Sequence, residues 1–265
     1  MLHLNVTGTL QDLEEIPNGI RFSLDHITGN GTKKKSTFQV LADARVAKWA
    51  EDNALADGDM VQVTAYRLQD QQCPDPDDTS KTLYWLLMHA SDVIRIDDET
   101  PHHADGMVVC NVGKDAEMNF TPSVGTPYTK YSVAINWREK QADGTYKKIP
   151  HWADCTVWGR KGAATDPKAE KDAASIACEY VVKGSLVTQQ ITGIHYVLFT
   201  RKDGTMGTRT ELTVRNPELL GRPKDAAVEV SGARPPGAAR RSQPAAPAAP
   251  EVALTVPPDE EEVPF

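Results

Sequence analysis

Long apolar runs are absent from this 265-residue chain. No stretch of about 18 apolar residues is there to span a membrane, and 40% hydrophobic residues with a mean hydropathy of -0.45 point to a water-soluble protein. Cysteine is scarce. Cys73, Cys110, Cys155 and Cys178 lie far apart with no Cys-x-x-Cys pair, which argues against a structural zinc site or a disulfide framework and fits a reducing cytoplasm. The opening Met1-Leu2-His3-Leu4-Asn5 has no basic region leading into an apolar stretch, so no signal peptide is expected and the location is read as cytoplasmic. No glycine-rich phosphate loop is present. The histidines His3, His26, His89, His102, His103, His151 and His195 show no metal-ligand spacing, and isolated surface or core histidines are the default reading.

Excess positive charge is also missing, since the formal charge is -8, but the balance is uneven. Residues 1–106 hold 9 Lys/Arg and 18 Asp/Glu, residues 107–221 hold 15 and 12, and residues 222–265 hold 5 and 7. Basic charge is concentrated in the middle block, which net charge alone conceals. From Gly221 the composition turns to Ala, Pro and Gly, too poor in apolar side chains to offset chain entropy, so 221–258 is read as a disordered tether. Beyond it lies Asp259-Glu260-Glu261-Glu262-Val263-Pro264-Phe265, an acidic cluster running into an apolar end. Most acidic tails only aid solubility. Here the apolar tip, carrying a carboxylate, suits capture by a partner's pocket.

The rest reads as two similar β-rich blocks, each with one short helix. In the second, Met107–Val112, Tyr128–Arg138, Trp152–Gly159, Ser185–Phe199 and Arg209–Arg215 alternate as strands, with Asp143-Gly144 and Asp203-Gly204 at hairpin turns. Pro167 to Tyr180 suits a helix with proline in its first turn. In the first block, strands are expected over Leu2–Leu10, Ile20–Ile27, Ser36–Leu41, Met60–Leu68 and Leu83–Ile96, with a helix over Val46–Asn53. Three strands, a helix, a glycine turn and a closing hairpin are the order of an oligonucleotide-binding (OB) five-stranded Greek-key barrel. The expected fold is therefore all-β: a first, acidic OB fold over 1–96, a connector over 97–106, a second, basic and aromatic-rich OB fold over 107–220, then the tether and the 259–265 tip.

Aromatics make up only 6% of the chain, so their placement is informative. Trp137, Trp152 and Trp158 fall on the second and third strands of the second block, with Tyr196 and Phe199 on a neighbouring strand. Lys147, Lys148, Arg160, Lys161, Arg201, Lys202 and Arg209 sit on the same hairpins or at their ends. Exposed rings can stack on unpaired bases while cations follow phosphates. The alternative is that the tryptophans fill the barrel, although three would crowd one so small. Lys33, Lys34 and Lys35 form a basic loop in the first block, a phosphate contact or a solvated hairpin tip. Asp115 and Glu117 have no second acidic pair with nuclease-like context, and a hairpin turn explains the Asp-Gly of Arg201-Lys202-Asp203-Gly204. No catalytic set, cofactor or metal is expected.

The second block resembles the bacterial single-stranded DNA-binding proteins. The stretch Asn111-Val112-Gly113-Lys114-Asp115-Ala116-Glu117, followed by Phe120-Thr121-Pro122-Ser123, is similar to that family's opening signature. His151-Trp152-Ala153, Trp158-Gly159-Arg160 and Tyr180-Val181-Val182-Lys183-Gly184-Ser185 are similar to three further family motifs, and the acidic tip is similar to the family's ending. The resemblance covers 107–265 and implies base stacking at Trp137, Trp152, Trp158 and near Phe199. It implies recruitment of replication, recombination and repair proteins through Asp259 to Phe265, association with the nucleoid, and a homodimer supplying four OB folds. Ala153 and Asp154 depart from the family pattern. The expected function is sequence-independent binding and protection of single-stranded DNA; the alternative is a recruitment scaffold with little DNA affinity.

Overall fold

The computed structural model describes residues 1–28, 34–75, 78, 81–160, 172–202 and 204–221. Lys33, Lys161, the expected first turn of the second helix from Pro167, the tether from 222 onward and the tip Asp259 to Phe265 lie outside them.

The first barrel is built from β1 (Leu2–Ile16), β2 (Gly19–Thr28), β3 (Lys34–Asp43), α1 (Ala44–Asp52), β4 (Met60–Pro74) and β5 (Thr82–Arg95). Period-two alternation drives it: along β3 the buried positions are Ser36, Phe38, Val40 and Ala42. β1 pairs with β2 and β4, β2 with β3, and β5 closes the ring antiparallel to β4 and parallel to β3. This is the OB arrangement. α1 starts two residues earlier than expected because the Asp43 carboxylate accepts from the Arg45 and Val46 amides, capping the helix. β1 runs six residues further than expected. Its extension, Gln11–Ile16, is mostly polar and passes a bulge at Asp12, whose φ is +55°, so alternation alone did not mark it.

The second barrel repeats the order in β6 (Ala104–Val112), β8 (Pro127–Lys140), β9 (Tyr146–Trp158), α2 (Ala173–Tyr180), β10 (Leu186–Thr200) and β11 (Met206–Gly221), with β9 and β11 parallel. A short extra strand, β7 (Glu117–Phe120), pairs with the outer edge of β8 and was not expected. The β8–β9 hairpin is longer than alternation indicated. Its distal arms, Arg138–Lys140 and Tyr146–Lys148, are exposed on both faces yet remain in register to Lys140↔Tyr146. Inside the barrel, Tyr131 donates to Gln189 Oε1 (2.6 Å) and Gln189 Nε2 donates to Cys155 Sγ (3.0 Å). Burial pushes the thiols of Cys110 and Cys155 up, to about 12 for Cys110, so both stay protonated.

The barrels meet edge to edge. β1 pairs antiparallel with β6 from Leu2↔Val108 to Val6↔Ala104, so one continuous sheet passes from one barrel into the other. Ala104 to Gly106, expected in the connector, belong to this ladder. Gly106 lies between β1 and β10, facing Leu4 and Ile191. A Cβ there would come within 2.2 Å of the His3 carbonyl oxygen. Gly106→Val should therefore force the strands apart and lower the melting temperature by several degrees, as overpacking costs about 1–3 kcal/mol. An unchanged melting temperature in calorimetry would show that the ladder does not hold the barrels together.

His26 is fully buried beside this seam, donating from Nδ1 to the Thr7 carbonyl (2.7 Å) while Nε2 has no partner among the described residues. Burial pulls its pKa from 6.5 down to about 4, and burial followed by the charge of Arg67 does the same to His89. The unfolded chain thus takes up protons before the folded one does. Stability is complete above about pH 6.5 and is lost as pH falls toward 4. Between pH 7 and pH 5 the unfolding free energy should drop by about 2 kcal/mol from His26 alone. His26→Gln should flatten the dependence measured by urea titration; an unaltered pH slope would contradict this assignment.

Candidate nucleic-acid interface

The strands β8, β9, β11 and β10 present an outward face whose rows follow from register. Trp152, Asp154, Thr156 and Trp158 point outward along β9, alternating with buried Ala153, Cys155 and Val157. Trp152 and Trp158 keep 55% and 48% of their surface exposed, too much for core residues. Each is held in place by a specific neighbour. The Trp152 ring lies on Gly113, where a Cβ would sit 2.3 Å from its Cζ3, which gives a physical reason for glycine after Asn111-Val112. Trp158 faces Tyr128 across the β8–β9 ladder, with ring centroids 5.2 Å apart and planes at 42°. Lys130 stands 5.7 Å from the Tyr128 ring.

Phe199, 37% exposed, is paired across the ladder with Gly207 and covers it, a Cβ there lying 2.8 Å from Cζ. Arg201 is anchored beside it by donating to Met206 O (3.0 Å) and Thr205 Oγ1 (3.3 Å). Gly159 clears space for the Asp172 carboxylate, which accepts from the Arg160 amide (3.1 Å) and the Ser175 amide (2.9 Å). Burial opposes the ionisation of Asp172, but these hydrogen bonds outweigh it and hold its pKa below the usual carboxylate range. The start of α2 is thereby tied to the end of β9, where Arg160 projects exposed.

Not every residue singled out by sequence joins this face. Trp137 has the inward parity of Tyr131, Val133 and Ile135 and is only half-exposed. The Arg67 guanidinium of β4 stacks on it, its central carbon 3.1 Å from the ring centroid. Tyr196 packs against the core, and burial pushes its phenol up to about 12. Arg209 is engaged by Glu211 (2.6 Å) and lies 3.9 Å from Asp154. Lys147, Lys148, Arg201 and Lys202 are exposed on hairpins; Lys34 and Lys35 are exposed in the first barrel, where Lys35 pairs with Asp25 at 2.8 Å. Sequence reasoning did not single out Lys130 or Arg67. Lys130 shares the outward parity of Tyr128, which alternation along β8 could have shown; Arg67 carries no local signal.

His151 likewise belongs to the joint between barrels. It is buried, with Nε2 3.1 Å from Thr210 Oγ1 and Nδ1 approached by the Asp70 carboxylate of β4 at 3.0 Å without hydrogen-bond alignment.

Residues 104–220 match the model of the Single-strand binding protein family. The single-stranded DNA-binding protein 1 of Synechocystis is 29% identical over 118 residues, covering 44% of this chain and 84% of that protein. The wild-type single-stranded DNA binding protein from Thermus aquaticus is similar in fold, with a TM-score of 0.50 and 16% identity over 84% of this chain and 94% of that one. A deletion mutant of the same Thermus protein gives a TM-score of 0.49. The Single-strand binding match covers the barrel with the exposed tryptophans and stops short of β1 to β5. Among the described residues no helix is long and apolar enough to cross a membrane.

The Arg67–Trp137 contact is open to direct test. Arg67→Ala should increase acrylamide quenching of tryptophan emission and lower the melting temperature by a few degrees, since a desolvated cation–π pair contributes about 2 kcal/mol. In a Trp137→Phe background the same change should leave quenching unaltered; an equal rise in both would place the effect elsewhere.

Proposed function

We propose that the protein binds single-stranded DNA without sequence preference, as a binding protein rather than an enzyme. The observation that carries this is the outward pair Trp152 and Trp158 on β9, exposed yet braced by Gly113 and Tyr128. Every base has a face to stack, so such a platform is tolerant of sequence, while Lys130, Lys147, Lys148, Arg160, Arg201 and Lys202 follow the phosphates. Phe199 extends the platform. Trp137 and Tyr196 support it from within, Trp137 by holding the hairpin against Arg67. The acidic first barrel contributes mainly by packing against the second. Two chains form a homodimer of four barrels in the cytoplasm, and the segment Asp259 to Phe265 recruits replication, recombination and repair proteins through its acidic and apolar character.

Titration with oligo-dT at several salt concentrations tests the reading. Tryptophan emission should be strongly quenched, and affinity should fall steeply with salt. Trp152→Ala and Trp158→Ala should each weaken binding roughly 5- to 150-fold, the equivalent of about 1–3 kcal/mol per stacked base. Unchanged emission with no gel shift would overturn the reading in favour of a protein-recruitment scaffold.

A further inference from the structure

A groove of about 930 Å³ opens between the outward face of the second barrel and the edge of the first. Its floor is one cross-strand row that runs over four strands. Lys130 pairs with Thr156, Thr156 with Thr213, and Thr213 with Gly193, so β8, β9, β11 and β10 contribute in turn. At Gly193 an added Cβ would meet only Thr213, in ordinary contact at 3.4 Å, so the row stays open at this strand. Trp158 and Tyr128 line the groove on the second barrel, while Lys34 lines it from the first.

The charge of this groove is one-sided. Lys34, Lys130 and Arg215 line it and make no ion pair with any described residue. Among the described residues its one lining carboxylate, Glu211, is already paired with Arg209 at 2.6 Å. His102, His103 and His195 add ring nitrogens; His195 is hydrogen-bonded to Ser36 Oγ of β3, joining the two barrels at this point. These histidines sit apart in sequence from the tryptophans, and among the described residues no group of three or more His, Cys, Asp or Glu is placed to hold a metal ion.

We propose that this groove is a second DNA track, along which a strand stacked on Trp158 crosses the seam to Lys34 of the acidic first barrel. The proposal rests on the single-stranded DNA reading and assigns to it a path that the exposed tryptophans do not define. A polyanion with planar bases fits a channel that has rings at one side, unpaired cations along it and hydroxyls on its floor. The first barrel thereby takes part in binding through one edge, despite its net negative charge.

The experiment compares the full chain with the Lys34→Ala/Arg215→Ala variant, using oligo-dT of about 10 nucleotides, within the span of one OB fold, and a strand roughly three times as long. Circular dichroism and melting confirm that the variant folds. For the long strand the variant should lose about tenfold or more in affinity, and its log–log salt slope should become shallower by roughly 1.4, about 0.7 for each cation removed. Affinity for the short strand should be unchanged. Glu211→Gln should strengthen binding of the long strand. Equal salt slopes for variant and wild type on the long strand would overturn the track, and equal losses on both strands would make the groove part of the tryptophan platform. If the wild type binds neither strand, the single-stranded DNA reading itself fails.

Discussion

From Leu2↔Val108 to Val6↔Ala104, β1 and β6 share one antiparallel ladder, and through it the second barrel is set against the first. A barrel strand has two edges, and in a closed OB ring both are used by neighbours. Here β1 pairs with β6 over Leu2–Val6 and with β2 over Thr9–Ile16, while β4 pairs with it over Leu4–Thr9, and β6 meets both β10 and β1. The shared backbone hydrogen bonds leave no exposed edge at the seam. They also fix the second barrel in rotation, so Arg67 reaches Trp137, Asp70 reaches His151 and Ser36 reaches His195. Each of these contacts joins residues far apart in the chain, and none could form if the barrels turned independently.

On the exposed face the same economy appears at the level of single residues. An aromatic ring that must remain solvent-facing loses binding power if it swings freely, because ordering it on contact costs conformational entropy. Gly113 beside Trp152 and Gly207 beside Phe199 let each ring sit where a Cβ would otherwise stand. Tyr128 serves the same purpose for Trp158. The platform is thus largely formed in the free chain, and Lys147, Lys148, Arg160 and Lys202 around it are exposed.

Much of this was legible in the sequence, for identifiable reasons. Strict alternation such as Tyr131, Val133 and Ile135 marks a half-buried strand, and the hairpin turn at Asp143-Gly144 divides two strands of the second block in OB order. The parity of Trp152 and Trp158 placed both on one face. The extent of strands was less legible where both faces are polar, as in Gln11–Ile16 and Tyr146–Lys148, because their pairing is set by the hairpin and not by burial. β7 has only four residues and none of them is buried, so it leaves no pattern. Trp137 illustrates the deeper limit. Its odd parity was visible, but its partner, Arg67, lies seventy residues earlier on another barrel and becomes a neighbour only through the β1–β6 ladder.

The β1–β6 ladder welds the two barrels in the free chain, so the outward face is set before any ligand is bound. Hydrogen–deuterium exchange of the full chain, with and without oligo-dT, is the test. The amides of Leu4, Val6, Gly106 and Val108 should exchange as slowly as the barrel cores in the free protein and should not change on binding. Protection gained with DNA should fall on the loops flanking β8, β9 and β10. Rapid exchange at the seam in the free protein, slowed only when DNA is added, would contradict the account, because the barrels would then be joined by the ligand and not by the fold.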